Sequence, residues 1–221
     1  MFSYIWMKIL ETQPRRYDLG ISMLSLGASE RMKARLVDDN VRAGDRVLEI
    51  GCGTGSMAIL AAMRGARVLA FDISPQMLEV AKQKIDAAGM SNSVELVEMG
   101  ISGMDGFAEG EFDLVMSTLV FSELSSDERV YALGHAYWTL RHGGRLAIAD
   151  EAVPRSRWQR LLYLALRLPL LLVTFAVTQT TTRAVDGLAG LVSQAGFEVV
   201  SEERGFLDSL VYLTAVKEKQ P

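Results

Sequence analysis

The residues with the clearest chemical potential lie in one short run, Glu49-Ile-Gly-Cys-Gly-Thr-Gly55, where three glycines alternate with small side chains. Glycine at 51, 53 and 55 lets the backbone turn sharply and come close to a ligand with no side chain between them. A dinucleotide fingerprint needs G-x-G-x-x-G, and its sixth position here is Ser56, so the spacing is G-x-G-x-G instead. Asp72 follows about 20 residues later, the separation from which a carboxylate can accept hydrogen bonds from ribose hydroxyls. The glycines alone would make only a tight strand-to-helix turn. Together with Asp72 and a strand-helix-strand pattern they point to a ribose-bearing ligand. Cys52, inside the run, reads as a small filler rather than a nucleophile, because nothing beside it in sequence would activate a thiolate.

The elements that must position these residues follow from periodicity. Short β-branched apolar runs alternate with helical patterns, which is the signature of a parallel α/β sheet. Strands are expected at Arg46–Ile50, Arg67–Phe71, Val94–Glu98, Phe112–Ser117, Arg145–Ala149, Phe197–Val200 and Leu210–Val216. Helices are expected over Ser56–Arg64, from Ser74-Pro75 to Gly89 with Leu78, Ala81 and Ile85 on one face, and around Ala184–Ala195. Ser125 followed by Glu128 gives a capping box for another helix, with Val130, Leu133, Tyr137 and Leu140 on its buried face. His135 falls off that stripe and reads as solvated. His142-Gly143-Gly144 reads as the turn that follows, and Asp113 as a residue that orients the fourth strand. The last two strands follow one another without a helix, which predicts a terminal hairpin and one antiparallel edge. The expected fold is a Rossmann-like, doubly wound, mostly parallel seven-stranded sheet with an antiparallel C-terminal strand and a helical lid.

Composition narrows the function. With 221 residues, 49% of them hydrophobic and 23% charged, the chain holds enough apolar surface for one sizeable core. A single domain over 1–221 is expected, with 1–40 as an N-terminal helical cover and 152–182 as a helical lid or insertion. A net charge of −4 argues against a nucleic-acid partner. One cysteine and two histidines leave no internal disulfide and no basis for a zinc site, so no metal is expected. Lys8 and Glu11 interrupt the apolar start and no small-residue cleavage site follows, which argues against a signal peptide. The uninterrupted apolar run Leu168–Val177 is far short of the ~20 residues a membrane span needs. A cytoplasmic protein is expected, with peripheral membrane contact as one option.

At these motifs the chain resembles the class I S-adenosylmethionine-dependent methyltransferases. The likeness is carried by Val47-Leu-Glu-Ile-Gly-Cys-Gly-Thr-Gly55, Phe71-Asp-Ile-Ser-Pro-Gln-Met-Leu78, Phe112-Asp-Leu-Val115 and Leu140-Arg-His-Gly-Gly-Arg-Leu146, and spans roughly Tyr17 to Lys217. Tyr17-Asp18 and Ser25-Leu26-Gly27 are weakly similar to the opening segment of ubiquinone/menaquinone C-methyltransferases. The resemblance implies S-adenosylmethionine as cofactor. It implies that Gly51, Cys52, Gly53 and Gly55 pass beside the methionine and ribose moieties, that Glu49 orients the loop and the amino group, and that Asp72 holds the ribose diol. Ile73 and Met77 would sandwich the adenine, Gly100, Ile101 and Ser102 would contact its edge, and Thr118 and Leu119 would face the sulfonium. The chain departs from its relatives at Gly100, where many have an acid, at Ser122-Glu123, where many have a histidine pair, and at Phe121-Ser122, which does not match the Arg-Asn pair of quinone-type relatives.

Methyl transfer from a sulfonium needs positioning more than activation, and a well-held acceptor gains up to ~7–11 kcal/mol from proximity alone. Tyr17, Glu123 and Glu151 are the candidates for acceptor contacts or proton removal. Asp150, next to Glu151 at the carboxyl end of the fifth strand, is placed either for function or only to accept loop hydrogen bonds. Between Ala152 and Thr182 the chain carries Arg155, Arg157, Arg160 and Arg167 with Trp158, Tyr163 and a Leu-rich run, and no acid. Three readings of this segment stand: a basic amphipathic helix on an acidic membrane through 155–177, a lid over a lipophilic or planar acceptor, or an insertion packed on the sheet or in a homodimer. The expected activity is methyl transfer to a small-molecule acceptor. Its rivals are a catalytically silent S-adenosylmethionine-binding partner protein and an NAD-type oxidoreductase, the latter disfavoured by Ser56.

Overall fold

In a computed structural model, residues 28–155, 158, 184–205 and 208–218 are described. Tyr17 lies outside the described residues, as do 1–27 of the expected N-terminal cover and nearly all of the expected lid and membrane-contact segment.

The elements run α1 (Ala28–Asn40), β1 (Arg46–Ile50), α2 (Ser56–Met63), β2 (Arg67–Asp72), α3 (Pro75–Ala87), β3 (Val94–Glu98), a 3-10 turn (Ile101–Gly106), β4 (Phe112–Thr118), α4 (Ser126–Thr139), β5 (Leu140–Glu151), α5 (Leu188–Gln194), β6 (Phe197–Gly205) and β7 (Leu210–Lys217). The strands form one seven-stranded sheet in the order β3-β2-β1-β4-β5-β7-β6. All pairings from β3 to β5 are parallel, and β7 is antiparallel to both of its neighbours. The antiparallel strand is therefore not the edge expected from the sequence. It is wedged between β5 and β6, because a hairpin can add its second strand to the open side of β5 and leave its first outermost.

β1 and β4 lie at the centre with both faces covered, so they read as almost continuous apolar runs. One core gathers Met32, Leu36, Met57, Ala61, Ala81 and Ile85 beneath α1, α2 and α3. The other gathers Met104, Leu133, Ala136, Leu188 and Val192 beneath the 3-10 turn, α4 and α5. The chain direction across the sheet reverses between β1 and β4, and in doubly wound sheets the crevice at that switch point is where ligands bind.

Local chemistry explains the boundaries. Ser74 accepts a hydrogen bond from Met77 N with Pro75 at the first helical position of α3, and Ser125 and Glu128 form the expected capping box on α4. The inward face of α4 differs from expectation. Val130 is 61% exposed, and the buried residues are Arg129, Ala132, Leu133, Ala136 and Thr139. Arg129 turns inward because its Nε donates to Phe121 O at 2.6 Å, which rotates Val130 outward. His135 is not fully solvated either: its side chain is 28% exposed, Nε2 lies 3.0 Å from Asp105 Oδ1, and the ring packs on Tyr131. The expected turn at 142–144 is part of β5, where the ladder with β4 shifts register between Phe112 and Leu114. α5 begins only at Leu188, since Val185 is taken up in a bridge with Ala152. Asp113 accepts from Arg46 N at 2.8 Å and also bonds Arg141, tying the start of β4 to β1 and β5.

Candidate cofactor site

A cavity of about 650 Å³ opens at the carboxyl ends of the strands, on the β1–β4 switch point. Its walls are the loop after β1, the turn after β2, the 3-10 turn after β3, and the loop from β4 into α4.

The glycine loop is held by side chains from neighbouring elements. Gly51 (φ 67°), Gly53 (φ 53°) and Gly55 (φ 72°) all occupy the left-handed region. Gly53 N donates to Asp72 Oδ2 at 2.8 Å, and Ser74 N donates to Asp72 Oδ1 at 2.9 Å. Asp72 thus joins the two loops, and each oxygen keeps a second lone pair for a ligand hydroxyl. Lys84 of α3 donates to Ser56 Oγ at 2.6 Å and to Thr54 Oγ1 at 3.2 Å, fixing the far side of the loop. A Cβ on Gly51 would stand 2.4 Å from Val120 Cγ2, so this glycine permits the loops after β1 and β4 to touch.

Glu49 lies beneath this loop. It is 1% exposed, accepts a hydrogen bond from the Ala58 amide in the first turn of α2, and has no partner on Oε2 among the described residues. α2 has no side-chain cap of its own, so the strand carboxyl supplies an acceptor for its N-terminal amides. Burial pushes the Glu49 carboxyl up to about 8, Lys33 and Lys84 draw it back, and Asp72 adds to the rise. Burial likewise pushes the Cys52 thiol up, in keeping with a filler and not a nucleophile.

Of the residues singled out from the sequence, Gly51, Cys52, Gly53, Asp72, Ile73, Met77, Gly100, Ile101, Ser102, Thr118, Leu119 and Glu123 line the cavity. Glu49, Gly55 and Glu151 are not on its wall. At Gly55 a Cβ would meet Ala81 Cβ at 3.0 Å, which makes this glycine a matter of packing between α2 and α3. Glu151 ends β5 and pairs there with Leu210. Sequence reasoning missed Lys33, Leu124 and Tyr131, which reach the cavity from α1 and from the far side of the capping box. Lys33 is the one cation among the described lining residues. Its only sequence signal would have been a basic side chain in the cover helix.

The past-β4 wall has its own bracing. Leu119 has a left-handed backbone (φ 60°), which a branched side chain rarely adopts, and its amide donates to Ala149 O at 2.9 Å. The Tyr131 hydroxyl donates to Asp105, which joins α4 to the 3-10 turn.

The sequence of this region matches the family described as a methyltransferase domain over residues 47–144, which takes in the glycine loop, Asp72 and the post-β4 wall. The match marks this stretch, a little under half of the chain, as similar to a methyltransferase domain. It is 35% identical over 142 residues to a demethylmenaquinone methyltransferase of Thermus thermophilus, covering 63% of this chain and 62% of that protein. It is 29% identical over 161 residues to a ubiquinone/menaquinone biosynthesis C-methyltransferase of Xanthomonas oryzae, covering 71% of this chain and 62% of that one. The chain thus spans about three fifths of each of these two relatives. A crystal structure described as a putative methyltransferase from Bacillus halodurans superposes on this chain with a TM-score of 0.68 at 18% identity, covering 85% of this chain and 99% of that one, which speaks to the fold.

The site's residues also fit S-adenosylmethionine physically. The cradle at Gly53 has open space where a Cβ would stand, Asp72 offers free lone pairs toward ribose hydroxyls, and Ile73 is a 77% exposed apolar side chain at the mouth. Lys33 supplies a positive charge on the described cavity wall, as the carboxylate of an amino-acid moiety requires. No group of three or more metal-ligating side chains occurs among the described residues.

Proposed function

We propose that this chain binds S-adenosylmethionine in the cavity at the β1–β4 switch point and transfers its methyl group to a small, lipophilic or planar acceptor, without a metal. The observation that supports this most directly is the joining of glycine loop and Asp72 by the Gly53 N to Asp72 Oδ2 bond, on the wall of a cavity large enough for cofactor and acceptor together. When bound, the cofactor supplies an electrophilic sulfonium methyl. The protein's part is to hold: Asp72 the ribose hydroxyls, Lys33 a carboxylate, Ile73 and Met77 an aromatic base, and Glu123, Leu119 and Leu124 the acceptor. A substituted hydroquinone ring is the acceptor class we favour, by analogy with what the Thermus and Xanthomonas relatives are named for. Glu123 on the cavity wall is then the candidate to take the ring proton that the new carbon–methyl bond displaces.

Titration calorimetry with S-adenosylhomocysteine, with NAD as control, tests the cofactor assignment. Micromolar binding of the first alone is expected, and binding of NAD alone would overturn it. Turnover of labelled methyl donor with a reduced naphthoquinone then separates an enzyme from a silent binder.

A further inference from the structure

Asp150, the penultimate residue of β5, has a fully buried side chain and does not reach the cavity, yet it is the anchor of the wall that does. Its Oδ2 accepts from Phe121 N at 2.7 Å, and its Oδ1 accepts from Ser122 N at 3.3 Å and from Glu151 N at 2.7 Å. From the other side, Arg129 Nε donates to Phe121 O at 2.6 Å. The peptide units around Phe121 are therefore clamped between a carboxylate of the sheet and a guanidinium of α4, both buried. One residue before this clamp is Val120, in contact with Gly51, and before that the left-handed Leu119. Strained backbone of that kind persists only where its surroundings over-determine it, and the clamp does so.

We propose that Asp150 is a positioning residue for the methyl acceptor: through the backbone of Phe121 and Ser122 it fixes Leu119, Val120, Glu123 and Leu124, the side chains that form the acceptor wall. This rests on the reading of the cavity as a cofactor and acceptor site. It assigns Asp150 no contact with either ligand.

The clamp is also sensitive to acid. Burial pushes the Asp150 carboxyl up to about 6, the Ser122 side chain and the Glu151 and Phe121 amides hold it down, and the charge of Glu151 beside it adds to the rise. The charged group that faces the cluster from α4 is Arg129, which is engaged with Phe121 O. Below about pH 6 a proton on the carboxyl takes up an acceptor position, and one of the loop amides loses its partner. Because the folded carboxyl titrates above its ordinary value, protonation favours the folded state through this group. Acid is thus expected to loosen the loop without lowering the protein's melting temperature through Asp150, a combination that a merely structural carboxylate would not give.

The experiment compares the parent protein, Asp150→Asn and Ser122→Ala. Hydrogen exchange of the peptide spanning 119–124, corrected for intrinsic rate, is followed from pH 7.5 to 5. In the parent, protection should fall about tenfold as pH drops through 6. In Asp150→Asn it should be low at every pH. In Ser122→Ala, which keeps the carboxylate but removes one bond to it, the midpoint should move to higher pH. With S-adenosylhomocysteine and a reduced naphthoquinone as probes, Asp150→Asn should raise the acceptor KM about tenfold while the Kd for S-adenosylhomocysteine stays within twofold. Unchanged loop protection in Asp150→Asn, or an equal loss of affinity for both probes, would overturn the proposal. If Asp150→Asn does not fold, the Ser122→Ala midpoint decides it alone. A parent that binds S-adenosylhomocysteine but methylates no naphthoquinone refutes the acceptor class, while the exchange data still judge the clamp.

Discussion

Gly53 and Asp72, 19 residues apart, are joined by a 2.8 Å hydrogen bond from the glycine's amide to the carboxylate. The same carboxylate reaches Ser74 N through its other oxygen, so one side chain sets the spacing of both loops. Asp72→Ala should therefore weaken S-adenosylhomocysteine binding twice over, by removing ribose contacts and by freeing the loop. Charge-assisted bonds of this kind are worth ~1.5–3 kcal/mol each, so a loss of tenfold to several hundredfold in Kd is expected by calorimetry. Affinity equal to the parent's would remove Asp72 from the site.

Gly51→Ala should be costly for a steric reason that is local and reversible. The new Cβ would lie 2.4 Å from Val120 Cγ2 on a backbone at φ 67°. Overpacking and a strained φ together are expected to cost ~2–4 kcal/mol in urea unfolding, and adding Val120→Ala should restore the overpacking share only. Strict additivity of the two substitutions would show that the loops do not touch.

Lys33→Met should separate ligands by their amino-acid end. Lys33 is the cation on the described cavity wall, so its loss is expected to weaken S-adenosylhomocysteine about tenfold or more and to leave methylthioadenosine nearly unaffected. Parallel losses for the two would place Lys33 elsewhere in the recognition.

Glu49 makes stability depend on pH. Its carboxyl titrates near 8 when folded and near its ordinary 4.5 when unfolded, so the folded state binds the extra proton. That contribution is complete below about pH 4.5 and lost as pH rises through 8, on the order of a few kcal/mol. The ligand-free protein should lose melting temperature between about pH 5 and 8, and Glu49→Gln should flatten the decline. Parallel melting curves for the two proteins across that range would contradict the assignment.

Much of this molecule could be read from residue order because its signals are local. Ser74-Pro75 and the Ser125/Glu128 box announce helix starts through chemistry confined to four residues, and the strand before the glycine loop is buried along most of its length and mostly apolar, Glu49 excepted. The features missed depend on distant partners. Val130 points outward because Arg129 is drawn in by a carbonyl eight residues away, and a buried arginine breaks the apolar stripe that periodicity would follow. Lys33 reaches the cavity only because α1 folds back over the sheet, and nothing beside it in the chain marks it. Gly55 looked like part of the cradle, whereas its contact is with Ala81 in the next helix. The position of Asp150 in the chain fits either of two uses, and only the folded structure shows its carboxylate accepting from the amides of Phe121 and Ser122.

The placement of β7 between β5 and β6 bears on the order of folding. Glu151 pairs with Leu210 and Arg145 with Val216, contacts that close a long loop and are slow to nucleate. Until β7 docks, β5 is an unprotected strand edge, and Asp150 sits on it. During synthesis the halves of the crevice therefore mature at different times. The glycine-loop half can be in place while the segment beyond β5 is still emerging, and the acceptor half gains its rigid floor only once β7 has been made. A nascent chain halted between β5 and β7 would be an aggregation-prone species in which the first half of the pocket is already built.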